Sequence, residues 1–255
     1  MMYQVVIVGA GPVGGRLATE LASRGISTLM LEEHAEIGRP FQCAGLVNPP
    51  AMNMVNLHDT ILQSVDGALM HSPSGIMLPV GKDGRVRTHV VCRKRFDQGV
   101  VAQAMDAGAH LWLKSKPIDA SVTTDGVIVK VEREGEIIDL TCGLLVGADG
   151  AHSWTRRHFR MGRPKEMMIG FQADVSGLTG KDNWLEMYTG KDFAPGFFAW
   201  VIPTGNNTHR VGMWARPQDL DGRSVEECYE SLISHDLWKK RFAGMNEIAR
   251  YCGPV

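Results

Sequence analysis

No apolar run in the 255-residue sequence approaches the length of a bilayer span, so no membrane-crossing helix is expected. The five cysteines, Cys43, Cys92, Cys142, Cys228 and Cys252, are odd in number, widely spaced and without a CxxC pair. That argues against a disulfide framework or a thiolate zinc site and suits free thiols in a reducing, cytoplasmic compartment. Nine histidines show no HExxH-type spacing, so no metal is expected. No run of basic residues occurs and the formal charge is −1, which removes the electrostatic footprint of a nucleic-acid binder. There are no repeats or low-complexity tracts, and a strand-like pattern already at Tyr3 leaves no room for a signal peptide. What remains, 44% hydrophobic and 22% charged, is an ordinary soluble composition with enough chain for one large or two ordinary domains. Fourteen methionines are on the high side, and serve either as core filler or as an adaptable apolar surface.

The strongest positive signal is the opening stretch. An apolar run, Val5 to Val8, leads into Gly9-Ala10-Gly11-Pro12-Val13-Gly14, then an amphipathic segment to Arg24, a turn at Gly25, a second apolar run from Thr28 to Leu31, and Glu32-Glu33. Strand, glycine turn, helix, strand and acid in that order make a dinucleotide-binding βαβ unit. Gly9 allows the tight turn, Gly11 admits a pyrophosphate, and Gly14 lets the helix lie close to the strand. The helix start offers unpaired N–H groups to the anion, and Glu32 can accept from ribose hydroxyls.

After Glu33, HAEIGRPFQCAGLVNPP reads as a long loop, followed by short helices between Asn48 and Leu62. Ser64 to Pro79 reads as a hairpin turning at Pro73-Ser74-Gly75. His89 to Cys92 is a short strand before a helix from Arg93 to Ala107. Asp119 to Cys142 reads as a three-stranded meander and Leu144 to Val146 as a separate buried strand. That strand runs into Gly147-Ala148-Asp149-Gly150, with Ser153, Arg156 and Arg157 opening a helix. A carboxylate there can bind cofactor hydroxyls and the arginines can meet phosphate; the plain alternative is a turn with a helix cap. His152 and His158 read as surface residues and Trp154 as packing. From Met168 the pattern becomes an antiparallel sheet (168–175, 184–188, 197–202, 209–214) followed by a helix over 224–234. The fold class is therefore α/β. A βαβ domain with a meander covers 1–162, with the hairpin near 64–79 on the substrate side, and a smaller α+β sheet domain covers 163–255.

GAGPVG, the glutamate closing the second strand, Arg93-x-x-Phe96-Asp97 and GADGxxSxxR together resemble the FAD-dependent oxidoreductases of the p-hydroxybenzoate-hydroxylase fold. The resemblance implies a Rossmann-like FAD domain, with Asp149 and Arg93 near the ribityl and pyrophosphate portion of FAD. It extends the cofactor-binding set to Pro12, Glu33, Arg39, Cys43, Ala44 and Gly150. Within that group, GRPFQCAGL (38–46) is similar to the geranylgeranyl reductase loop whose cysteine lies close to the flavin ring. PGFFAWVIP (195–203) is similar to their P-x-x-Y-x-W-x-F-P signature, with Phe198 at the tyrosine and Ile202 at the second aromatic. Phe198, Trp200 and Pro203 would then line a lipid pocket, although Phe197, Phe198 and Trp200 read equally well as core. Cys43 would be a catalytic thiol at the ring, or else a small buried apolar residue.

The resemblance implies an FAD-dependent reductase saturating C=C bonds of geranylgeranyl chains in archaeal-type ether-lipid precursors. Its electrons would come from NAD(P)H, ferredoxin or a deazaflavin, and a membrane-surface contact would reach the isoprenoid lipid. The alternatives are an aromatic monooxygenase or halogenase on the same fold, or a non-catalytic fragment or subunit. The family's later GDAA motif has no match here, so a fragment, or a short version completed by a second chain, is expected.

Overall fold

The computed structural model describes residues 2–40, 43–81 and 83–254, so Phe41 and Gln42 of the GRPFQCAGL loop lie outside the described residues. In chain order the strands and helices are β1 (Met2–Val8), α1 (Pro12–Ala22), β2 (Thr28–Leu31), β3 (Leu46–Val47), α2 (Pro49–Val55), β4 (Ile61–Val65), β5 (Gly67–His71) and β6 (Met77–Val80). Next come β7 (Thr88–Val91), α3 (Arg93–Asp106), β8 (His110–Trp112), β9 (Ser115–Thr123), β10 (Gly126–Arg133), β11 (Glu136–Gly147) and α4 (Trp154–His158). The last stretch holds β12 (Ile169–Ser176), β13 (Trp184–Gly190), β14 (Ala194–Gly205), β15 (Thr208–Ala215), α5 (Val225–Ser234), α6 (Lys239–Phe242) and β16 (Asn246–Pro254). The chain divides into two units, residues 2–40 with 93–164 and residues 43–92 with 165–254.

The first unit is a six-stranded sheet in the order β8-β2-β1-β11-β10-β9. Its β8, β2, β1 and β11 run parallel, and β11, β10 and β9 form an antiparallel meander. Val5, Val6, Ile7 and Val8 are all buried because both faces of β1 are covered, which explains an unbroken apolar run where a one-sided strand would alternate. Val5 and Ile7 pack with Ala18 of α1 and Val101 and Ala104 of α3, while Val6 packs with Leu29, Leu31, Val129 and Leu140. Gly15 brings the helices together, since a Cβ there would stand 2.9 Å from Val100 Cγ1.

Leu144 to Val146 is not a separate buried strand but the second half of β11, which pairs with β10 through Cys142 and with β1 from Thr141 onward. A strand borrowed by two neighbours has no turn to mark the handover, and Leu144 is 55% exposed. His158 is also not a free surface residue: it is half-buried, its Nε2 lies 2.7 Å from the Ala120 carbonyl oxygen, and its ring stacks on Trp154.

The second unit is a seven-stranded sheet, β16-β12-β15-β14-β13-β5-β6, with a three-stranded sheet β3-β7-β4. Helix α5 starts on a capping box: Ser224 Oγ accepts from Glu227 N, and a Glu227 carboxylate oxygen accepts from Ser224 N. Its Val225, Cys228, Tyr229 and Leu232 recur at helical spacing and bury against Phe171, Ala173, Val211 and Met213 on one sheet face. On the opposite face Trp200 and Ile202 pack with Val65 and Val90 of the small sheet.

Candidate functional site

In the first unit the two glycine motifs lie side by side. Ala148 N donates to Val8 O at 2.7 Å, carrying the chain after β11 past the turn after β1. Gly9 has φ +97°, and a Cβ there would overlap the Ala148 carbonyl oxygen and stand 2.9 Å from Asp149 Cα. A Cβ at Gly14 would overlap the Gly9 carbonyl oxygen, so this glycine is what lets α1 begin directly beneath the turn. Gly11 differs from both: a Cβ there would meet nothing within 4 Å. It occupies the N-cap of α1, no side chain caps the helix, and Pro12 takes the first helical position, where its missing N–H costs nothing. The helix start is thus uncapped and open, with glycine where a pyrophosphate would approach.

Glu32 follows β2 and is largely buried. One carboxylate oxygen accepts from Ala10 N at 3.1 Å, and the other accepts from His34 N at 3.1 Å and meets His34 Nδ1 at 2.6 Å. It therefore ties the end of β2 to the glycine turn. Glu33 is exposed, and Arg39 is 60% exposed with only a 3.8 Å approach to Glu36. Gly38 (φ +79°) lets the loop run against α3, where a Cβ would stand 2.8 Å from Lys94 Cα. Arg93 opens α3, and its Nε and Nη2 donate to the two oxygens of Asp97 at 2.9 Å each. Burial holds the Asp97 carboxyl above its ordinary value, with the Arg93 fork opposing the shift. Asp149 Oδ2 accepts from Thr155 N at 2.9 Å and Thr155 Oγ at 3.0 Å, so this carboxylate braces the start of α4, while Gly150 turns at φ +69°. Arg156 donates to Gly162 O.

The second unit holds the other sequence-predicted residues. Phe198 and Trp200 share a face of β14 with Ile202, and strand alternation puts Pro203 on the opposite face. Phe197 stacks on Phe198 with centroids 4.3 Å apart, and Trp200 meets Trp214 edge-on at 5.6 Å. Each indole lies over a glycine of the adjacent strand. A Cβ at Gly212, the register partner of Trp200, would stand 2.8 Å from its ring, and Gly170, the partner of Trp214, has the same relation. Ala44 packs into this cluster, and Gly45 N donates to Cys43 Sγ at 3.4 Å.

Arg210, which no sequence motif marks, organises this region. It is 5% exposed, and its Nη1 donates to Ala44 O at 2.7 Å and Val91 O at 3.2 Å. Nε lies 3.7 Å from Asp174 Oδ1. Burial pulls the Arg210 pKa below its ordinary value, opposed first by Asp174 and then by the Cys92 and Cys43 sulphurs. Its only sequence signal was a cation in an otherwise apolar strand, HRVGMW.

An open, uncapped helix start behind a glycine, an acid closing β2 and a second turn abutting the first fit FAD. The phosphates would meet α1 and Gly11, and the adenosine ribose would meet Glu32. The FAD binding domain family model matches residues 2–239. Digeranylgeranylglycerophospholipid reductase 2 of Methanopyrus kandleri is 29% identical over 100% of this chain and 67% of its own length. A geranylgeranyl bacteriochlorophyll reductase-like protein of Thermoplasma acidophilum has a crystal structure that is 25% identical with a TM-score of 0.87, covering 100% of this chain and 66% of the other. The flavin-dependent brominase Bmp2, 17% identical over 100% of this chain and 67% of its own with a TM-score of 0.81, shares the fold alone. The chain spans between 54% and 68% of the curated relatives it matches. With the family model matched over nearly its whole length, this chain belongs to the FAD binding domain family, as a flavoprotein akin to the geranylgeranyl reductases whose cofactor is FAD.

Proposed function

We propose that the chain carries the FAD-binding and substrate-facing parts of a reductase that saturates C=C bonds of geranylgeranyl chains in ether-lipid precursors. The observation that carries this reading is the aromatic face of the seven-stranded sheet, where the half-buried Phe197, Phe198 and Trp214 form one contiguous cluster over the buried Trp200, with Ala44, from the segment that also bears Cys43, packed against it. A flat apolar surface suits a flexible isoprenoid, which has no polar handle except at its head. FAD, when bound, supplies hydride transfer. Glu32, Gly11 and the α1 start anchor its adenosine and phosphates, and Arg93, fixed by Asp97, adds a cation. Phe198 would line the isoprenoid site, backed by the buried Trp200, and the Cys43 thiol would give the second alkene carbon its proton, the thiolate regaining one from solvent. Pro12, Glu33, Arg39, Asp149 and Gly150 complete the cofactor-binding set in this reading. NAD(P)H, ferredoxin or a deazaflavin would supply electrons, and a second polypeptide could complete the flavin site.

The deciding experiment reduces the FAD-loaded protein under anaerobic conditions and adds a geranylgeranyl ether lipid. Return of the oxidised flavin spectrum together with a saturated product is expected. A flavin that stays reduced sinks the substrate assignment. Oxygen-dependent NAD(P)H consumption triggered by a small aromatic would move the chain to the monooxygenases or halogenases of the same fold. A colourless protein that takes up no FAD would make it a non-catalytic subunit.

A further inference from the structure

The free edge of the seven-stranded sheet carries a surface that the FAD and lipid sites do not use. Strand β6 is that edge, and the β5–β6 hairpin leaves Ile76 70%, Met77 54%, Leu78 59% and Val80 46% exposed. Leu237, 48% exposed, joins them beside the hairpin turn, with its Cδ1 3.5 Å from where a Gly75 Cβ would stand. Consecutive apolar residues exposed on both faces of one strand exceed the scattered leucines of an ordinary surface.

The hairpin is rigid as well as apolar. Ser72 Oγ accepts from Ile76 N, and Gly75 N donates to Ser72 O, both at 3.0 Å. Ser72 N donates to Ile76 O at 2.9 Å, and His71 pairs with Met77 and Leu69 with Pro79. Antiparallel alternation then points the backbone groups of Met77 and Pro79 toward the free edge. Pro79 has no N–H to offer there, which blunts the edge against another strand.

Charge selects among the remaining partners. The described residues of segments 72–87 and 236–240 include four basic ones (Arg85, Arg87, Lys239, Lys240) and two acidic ones (Asp83, Asp236), a formal +2 in a chain of net −1. Arg85 and Arg87 are 81% and 54% exposed along their side chains. Exposed apolar side chains flanked in sequence by a basic surplus match the headgroup boundary of an anionic bilayer. We propose that the β5–β6 hairpin, with Leu237, is a docking surface for an anionic lipid membrane. The choice of a lipid partner rests on the reading of the chain as a lipid reductase.

The test is flotation of the whole FAD-loaded polypeptide with phosphatidylglycerol-containing and pure phosphatidylcholine vesicles. Wild type is expected to float with the anionic vesicles and less with the neutral ones, with added salt narrowing the difference. Ile76→Ser with Leu78→Ser should lower partitioning by about tenfold or more, the loss expected of two apolar anchors. Val122→Ser with Ile137→Ser, equally exposed on the meander, should leave it unchanged, and retained flavin absorbance checks folding of each variant. Failure of wild type to float, or a hairpin variant that floats like wild type, overturns the proposal. So does light scattering that finds a wild-type dimer turned monomeric by the hairpin change, which would make the patch a self-association face. Reduction of a detergent-dispersed geranylgeranyl lipid, measured alongside, separates the two ideas. Reduction without flotation removes the docking surface alone, and flotation without reduction removes the reductase reading alone.

Discussion

Arg210 shows how much one side chain can organise in a sheet. Its guanidinium reaches the carbonyls of Ala44, in the segment before β3, and Val91, at the end of β7, and approaches Asp174 on β12. Replacing it by methionine leaves those carbonyls without this donor and Asp174 without its cation. Burial already pushes the Asp174 carboxyl up, with Arg210 opposing the shift. Breaking such a pair from one side typically costs ~3 kcal/mol. Arg210→Met should therefore lower the unfolding free energy by that amount, read as a fall in the urea midpoint at unchanged slope. Asp174→Asn should cost less, because Arg210 keeps both carbonyl acceptors. Releasing Ala44 should also speed alkylation of Cys43 relative to exposed Cys252, read by mass spectrometry. Unchanged Cys43 labelling in Arg210→Met would mean that the arginine supports the sheet without positioning the cysteine segment.

At the scale of the element, the glycine turn separates folding from binding. A Cβ at Gly14 would overlap the Gly9 carbonyl oxygen, so Gly14→Ala should cost ~1–3 kcal/mol and release FAD. A Cβ at Gly11 meets no protein atom within 4 Å, so Gly11→Ala should unfold at the wild-type urea concentration. In the proposed FAD site it should nevertheless bind FAD about tenfold more weakly, or ~1.4 kcal/mol, because the methyl would project toward the pyrophosphate. Flavin titration and urea unfolding of both variants check the contrast; equal loss of stability would remove it. This turn was legible in the sequence because its constraints are local: the glycines, the apolar run and the closing glutamate fall within one βαβ unit. The capping box of α5 was equally local, with Ser224 and Glu227 three residues apart. Elements defined by distant neighbours were not legible. Strand β16 is an edge strand with no buried residue over 246–253, β8 is three residues long, and the handover within β11 leaves no turn. The pairs Trp200–Gly212 and Trp214–Gly170 were hidden for the same reason, since register, not spacing, places an indole over a glycine.

For the molecule as a whole, the least legible feature is a buried polar network beneath α6. Glu186 and Tyr188 of β13 are hydrogen bonded to each other, and Arg241 Nη2 donates to Glu186 Oε1 at 2.6 Å. His71 of β5 stacks on Tyr188 with centroids 4.5 Å apart and lies 3.8 Å from the Glu186 carboxylate, and Trp238 meets both rings edge-on. His209 of β15 is 4% exposed. Residues drawn from four segments carry no common sequence signal, yet together they predict a pH dependence of stability. Burial lowers the pKa of both histidines; Arg241 pushes the same way, Glu186 opposes at both, and Asp182 opposes at His209. Histidine that stays neutral in the fold but protonates in the unfolded chain, with an ordinary value of about 6.5, gives the unfolded state the larger proton uptake below that pH. Stability contributed here is therefore full above about pH 6.5 and is lost as pH falls through that value toward the lower folded-state values. Asp97 and Asp174, whose carboxyls are raised by burial, act in the opposite sense, so a comparison of variants must cancel them. Urea midpoints at about pH 7.5 and about pH 5.5 should show a clear drop for wild type. The drop should shrink in the double variant His71→Gln, His209→Asn, which keeps a hydrogen-bonding side chain at each position and carries no titration. An equal drop in both proteins would place the acid sensitivity elsewhere and leave these histidines as packing groups alone.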